Sequence, residues 1–104
     1  EAIRRAYELR PQDAELALRL GNVVAGLGRE AEAINYFRAA SHLRPESAVP
    51  HNNIGLAMVR IGDFEGAFRE YRNGLSAPEA DPRGRCMVMV NLGSLERQLG
   101  RLEE

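Results

Sequence analysis

The sequence has no lysine. All 14 of its basic residues are arginine, set against 15 acidic ones, and the net charge is −1. A balance this even gives no global field toward nucleic acid or an acidic membrane surface. Arginine still favours two-point contacts with carboxylates, so the bias has chemical content. Together with the many alanines and glycines it suggests a GC-rich, bacterial coding bias. A single cysteine, Cys86, excludes an internal disulfide and a cysteine-rich zinc site. No apolar run is long enough to cross a bilayer, and no basic segment followed by an apolar one opens the chain. The expectation is a soluble chain without membrane insertion. The compartment is left open, with the cytoplasm slightly favoured over the periplasm.

Catalytic signals are also missing. His42 and His51 are not spaced as a metal pair. His51 is expected in a partly buried structural role, and His42 near a helix end, where its charge would suit the helix dipole. Cys86 lies at an expected helix start, which can lower a thiol pKa, but no histidine is placed beside it by sequence. The G-L-G at 26–28 is a helix-ending turn, not a phosphate-cradling loop. No enzyme activity, cofactor or metal is expected. Glu30, Glu32, Glu65 and Glu70 read as solvated helix faces.

What is present is a repeat. Sliding the chain by 34 places Pro11 on Pro45, Leu9 on Leu43, Ile3 on Phe37 and Ala6 on Ala40. Further along, Leu20-Gly21 falls on Ile54-Gly55, Gly28 on Gly62, Ala33 on Ala67 and Phe37 on Tyr71. A shift of 38 then carries Asn53-Ile54-Gly55 onto Asn91-Leu92-Gly93 and Gly62 onto Gly100. The four extra residues fall within Ser76 to Arg85, S-A-P-E-A-D-P-R-G-R, a loop by composition. A fixed period of this length is the mark of a helical repeat array.

Apolar residues three and four apart predict six helices, at about 2–10, 14–26, 30–43, 48–60, 64–75 and 85–98. Gly28 and Gly62 are expected at positive φ in the turns between helices, and Gly100 at a third such turn. Gly21, Gly55 and Gly93 lie inside helices, where glycine costs about 0.5–1 kcal/mol against alanine. Close approach of a paired helix would offset that cost. Asp13, Ser47 and Asp63 are capping candidates.

The pattern resembles the tetratricopeptide repeat. Residues 14–47 carry Leu20, Gly21, Val24, Ala33, Phe37, Ala40 and Pro45 at that family's signature places. Residues 48–81 carry Ile54, Gly55, Met58, Ala67 and Tyr71. Ala17, Val24, Gly74 and Glu96 depart from the usual residue types, and Pro78 comes one place early. Residues 1–13 read as the second helix of a preceding repeat, 82–85 as loop, and 86–104 as the first helix of a further repeat. The resemblance implies an all-α fold, a right-handed superhelical array of antiparallel helix pairs. Its ends are open, so the array is expected to be longer in nature or to pair with another chain, which gives a route to self-association.

The resemblance also implies a concave groove lined by the first helix of each pair. Carried over by register, it comprises Leu18, Arg19, Asn22 and Gly26, then Asn52, Asn53, Leu56, Val59 and Arg60, then Val90, Asn91, Ser94, Arg97 and Gln98. Arg19, Asn53 and Asn91 are register mates. Side-chain amides offer donors and an acceptor, and such a row is similar to the asparagine ladder of arms attached to sugar-transferring enzymes. A carboxylate clamp is matched at Asn22 and Asn53, but its basic places fall on Leu18, Met87 and Asn91. Leu56, Val59 and Val90 would anchor apolar groups, and Arg60 and Arg97 would meet acidic ones. The expected function is a non-catalytic scaffold binding a peptide or partner helix. The alternatives are the substrate-recruiting arm of a larger enzyme, such as a glycosyltransferase, and a self-assembly module.

Overall fold

The computed structural model describes residues 2–76 and 82–103, with side chains from 3 to 76 and from 82 to 100. Among the described residues there are six α-helices and no strands. They are α1 (Ala2–Leu9), α2 (Ala14–Gly26), α3 (Glu30–Leu43), α4 (Val49–Ile61), α5 (Phe64–Leu75) and α6 (Pro82–Glu103).

The helix ends follow from local chemistry. The Asp13 carboxylate accepts from the Leu16 amide at 3.3 Å, and Asp63 accepts from Gly66 at 2.9 Å. Each satisfies one of the free amides of a first turn. The Ser47 hydroxyl accepts from Val49 at 3.2 Å, and Pro50 sits in the first turn of α4, where no amide is needed. The turns α2–α3 and α4–α5 are alike. Gly28 and Gly62 adopt φ of 84° and 98°. The next residue in each, Arg29 or Asp63, returns its amide to the carbonyl five back, Val24 or Met58. This is the Schellman closure that glycine permits without strain.

Two expectations fail in α6. Residues 82–85 form its first turn rather than a loop. Pro82 opens it, because the fixed φ of proline suits a first helical position. Gly100 makes no turn, for α6 runs on to Glu103. The loop residues 77–81, with Pro78, lie outside the described residues.

Packing is between helices one or two places apart in the chain: α1 with α2, α2 with α3, α3 with α4, α4 with α5, and α6 with both α4 and α5. The molecule measures 50 × 31 × 17 Å, and the thin dimension is that of two helix layers. Within a pair, a glycine of the first helix meets an aromatic ring of the second. A Cβ on Gly21 would stand 2.4 Å from the Phe37 ring, and one on Gly55 2.3 Å from Tyr71. Those distances are far inside contact, so only glycine admits the ring. Phe37 is 2% exposed and Tyr71 1%. The rings join Leu20, Val24 and Ile54 in one cluster and Val88 and Leu95 in the next.

Charged joints tie one pair to the next. Arg38 of α3 reaches Glu70 of α5 at 3.5 Å, and Arg60 of α4 reaches Glu30 of α3 at 3.5 Å. Arg4 of α1 stands 3.9 Å from Glu32 of α3. Glu70 and Glu30 are therefore not the solvated residues expected, since their side chains are only 7% and 15% exposed. Their arginines compensate the lost hydration.

Candidate functional site

The first helices of the pairs, α2, α4 and α6, carry the expected groove residues. A narrow crevice of about 80 Å³ opens where α4, α5 and α6 meet, lined by Leu56, Val59, Tyr71, Asn91, Ser94, Leu95 and Gln98. It is well below the roughly 300–1,000 Å³ of a small-molecule pocket. It suits one side chain or a stretch of main chain. Five expected residues meet here: Leu56 and Val59 from α4, and Asn91, Ser94 and Gln98 from α6. Tyr71 was read only as packing. Its burial raises the phenol pKa, with the Arg60 charge opposing, so the hydroxyl is neutral near pH 7.

The remaining expected residues are distributed otherwise. Asn52 is buried, 1% exposed. Its Oδ1 accepts from Asn91 Nδ2 at 2.7 Å, while its own Nδ2 has no partner. Asn52 is thus a fastening between α4 and α6, not a groove surface. Its register mate Leu18 is apolar and partly buried, and that was the available signal of burial. Asn91 is half-buried and spends a donor on Asn52, and Asn53 is half-buried. Arg19 and Asn22 are exposed on α2. Arg19 pairs with Glu15 at 3.4 Å one turn back. Leu18 packs partly into the core. Arg60 is engaged by Glu30. Ser94 and Arg97 are exposed on α6, and Val90 is 62% exposed beside Cys86 and Met89, away from the crevice.

A second polar cluster lies between pairs. His51 Nδ1 donates to Glu70 Oε1 at 3.1 Å, and His51 Nε2 stands 3.5 Å from Ser41 Oγ. The His51 hydrogen bond, helped by the Arg38 charge, holds the Glu70 carboxyl below the usual carboxylate range against its burial. Serine, histidine and glutamate stand in the order of a hydrolase triad. Yet Ser41 is inside α3, where backbone amides are already bonded to carbonyls one turn back. No free amides converge there to hold an oxyanion. The cluster is a three-helix joint, with His51 in the structural position expected. Among the described residues no group of histidine, cysteine and carboxylate side chains could hold a metal, and no helix is long and apolar enough to cross a membrane.

Comparison with known proteins agrees with this architecture. The family model described as tetratricopeptide repeat matches residues 14–47. Protein FlbA of Caulobacter vibrioides is 34% identical over 97 residues, covering 90% of this chain and 16% of that protein. The peroxisomal targeting signal receptor of Candida albicans is 30% identical over 81 residues, covering 78% and 14%. The solved structures MamA MSR-1 and MamA AMB-1 superpose with TM-scores of 0.70 and 0.68, both at 28% identity. They cover 74% and 72% of this chain and 44% of each solved chain. The chain therefore spans less than a fifth of the curated relatives it matches. Residues 14–47 match the tetratricopeptide repeat, and the all-helical fold is that of tetratricopeptide arrays.

Proposed function

We propose that the chain is a non-catalytic protein-interaction module that binds an extended peptide or a partner helix along α2, α4 and α6. The observation that carries this is the crevice at α4, α5 and α6. It combines apolar walls, Leu56 and Val59, with the polar groups of Asn91, Ser94 and Gln98. An apolar anchor in a niche with convergent polar groups is the usual form of a binding hot spot. Half-buried Asn53 extends the polar line toward the Asn22 and Arg19 end. One matched relative is by its name a receptor for a targeting signal, which supports ligand recognition by arrays of this kind. In this reading residues 1–13 close a preceding repeat, 14–47 and 48–81 are whole repeats, and α6 opens a further one.

The test is selection of short peptides on the full 104-residue chain, followed by fluorescence anisotropy on variants. Leu56→Asp should lower affinity about tenfold or more. Asn53→Ala should lower it with little change in melting temperature. Selected peptides that bind Leu56→Asp as well as the parent reject the groove. The reading as a recruiting arm of a larger enzyme uses the same groove, and the chain's small share of its relatives' length fits it. A catalytic domain in the full-length gene supports that reading, and a gene of repeats alone rejects it.

A further inference from the structure

The turns α1–α2 and α3–α4 are built on one plan. Each reads Leu-Arg-Pro, at 9–11 and at 43–45. In each the arginine carbonyl accepts from the amide three residues on, Asp13 for Arg10 and Ser47 for Arg44, both at 3.1 Å. The proline takes the second place of the turn, where its fixed φ sets the bend in advance. Arg10 and Arg44 are register mates, so the stack presents two guanidinium groups from like turns on one edge of the molecule. An open cleft of about 610 Å³ lies between the turns, with Arg10, Gln12, Asp13, Leu43 and Arg44 in its lining.

Both arginines are exposed, and among the described residues neither has an ion pair. Arg4, Arg29, Arg38 and Arg60, by contrast, each meet a glutamate. A cation at a helix C-terminus suits the helix dipole, which accounts for a charge in either place but not for a shared cleft. Asp13 is the one acid in the lining, and its carboxylate is held by the Leu16 amide. That fixed negative charge, with the chain's net charge of −1, disfavours a run of phosphates and suits single carboxylates. Turns one repeat apart are separated by about the 8–10 Å of packed helices. Three residues of extended chain rise about 9 Å.

We propose that this turn edge binds an extended acidic segment of a partner protein, with two carboxylates three residues apart. Each carboxylate takes one guanidinium in a two-point pair. An apolar residue between them lies on Leu43, which is 36% exposed. Gln12 offers its side-chain amide to the segment's backbone. The edge shares no lining residue with the crevice at α4, α5 and α6, so either site can fail alone.

The test titrates the full chain into a fluorescein-labelled peptide, G-S-E-L-P-E-S-G, whose proline favours the extended form. Saturable binding is expected with Kd below about 1 mM at low salt, weakening several-fold at about 0.3 M salt. Replacing both peptide glutamates by glutamine should abolish it. Arg10→Gln and Arg44→Gln should each weaken it about fivefold. Arg69→Gln, at an exposed place on α5, should leave it unchanged, as should Leu56→Asp in the crevice. The double variant Arg10→Glu, Arg44→Glu should instead bind the peptide with arginine in place of both glutamates. Circular dichroism of the arginine variants should match the parent, because the altered side chains are exposed. The proposal is overturned if no saturable binding appears, or if Arg69→Gln weakens binding as much as Arg44→Gln. It is also overturned if inorganic phosphate at about 1 mM displaces the peptide, since the edge would then be a phosphate site. Loss of binding in Leu56→Asp would overturn it too, by placing the peptide in the groove.

Discussion

Gly21, Gly55 and Gly93 are one residue type in one register, yet they sit in opposite environments. The first two are each pressed by an aromatic ring, and the third faces open space. In the interior, glycine is required because a ring occupies the place of its side chain. On α6 the same glycine carries only its helix-weakening cost. A repeat residue thus has no fixed energetic value; the value depends on whether the adjoining helix is in place.

The largest expected effect exposes this contrast as a change of sign. Gly55→Ala or Gly21→Ala should destabilise by about 1–3 kcal/mol, since the ring must move or distort. Gly93→Ala should stabilise by about 0.5–1 kcal/mol. Urea denaturation of the three variants measures it. Three changes of one sign would refute the contrast.

Next in size is the polar joint of Arg38, His51 and Glu70, a feature of the interior with no counterpart on the outer face of α6. Glu70→Ala should cost about 1–3 kcal/mol by leaving buried partners unmatched. The Glu70 carboxyl has its pKa lowered from 4.5 in the folded state. Its contribution is therefore fully present above pH 4.5 and is lost as pH falls through the lower folded value. Thermal melts between pH 6 and 3 should show Glu70→Gln losing less stability on acidification than the parent. An identical acid dependence in the two proteins would remove the joint from the account. Smallest is Arg60→Ala. Its side chain is 55% exposed, and screening limits such a pair to about 0–1 kcal/mol. A loss of several kcal/mol in chemical denaturation would show that the arginine does more than pair with Glu30.

Much of the fold was legible because the repeat states it more than once. The positive φ of Gly28 and Gly62, the caps at Asp13 and Asp63 and the limits of α2, α3 and α5 all stand where the register placed them. Two boundaries were missed for reasons of local composition. Residues 82–85 carry proline and glycine and read as loop, but a proline at the first helical position is not a breaker. Gly100 copies a turn glycine, but the turns at Gly28 and Gly62 sit between two packed helices. The site was less legible. Asn52, Glu30 and Glu70 are polar, and their type pointed outward. For Asn52 and Glu70, the register mates Leu18 and Tyr36 are partly buried and pointed inward. Position in the array was the stronger guide than residue type. That Asn91 would spend its amide on Asn52 required the spacing of α4 and α6, which no linear pattern contains.

The contact pattern has a kinetic consequence. Every helix packs against elements one or two places away in the chain, so little loop entropy is lost before contacts form. Chains of this low contact order fold in microseconds to milliseconds. Quasi-one-dimensional stacks also open from their ends, where each unit has a single neighbour. The α4–α6 crevice joins two neighbouring units. A ligand seated there would couple the opening of one unit to that of the other.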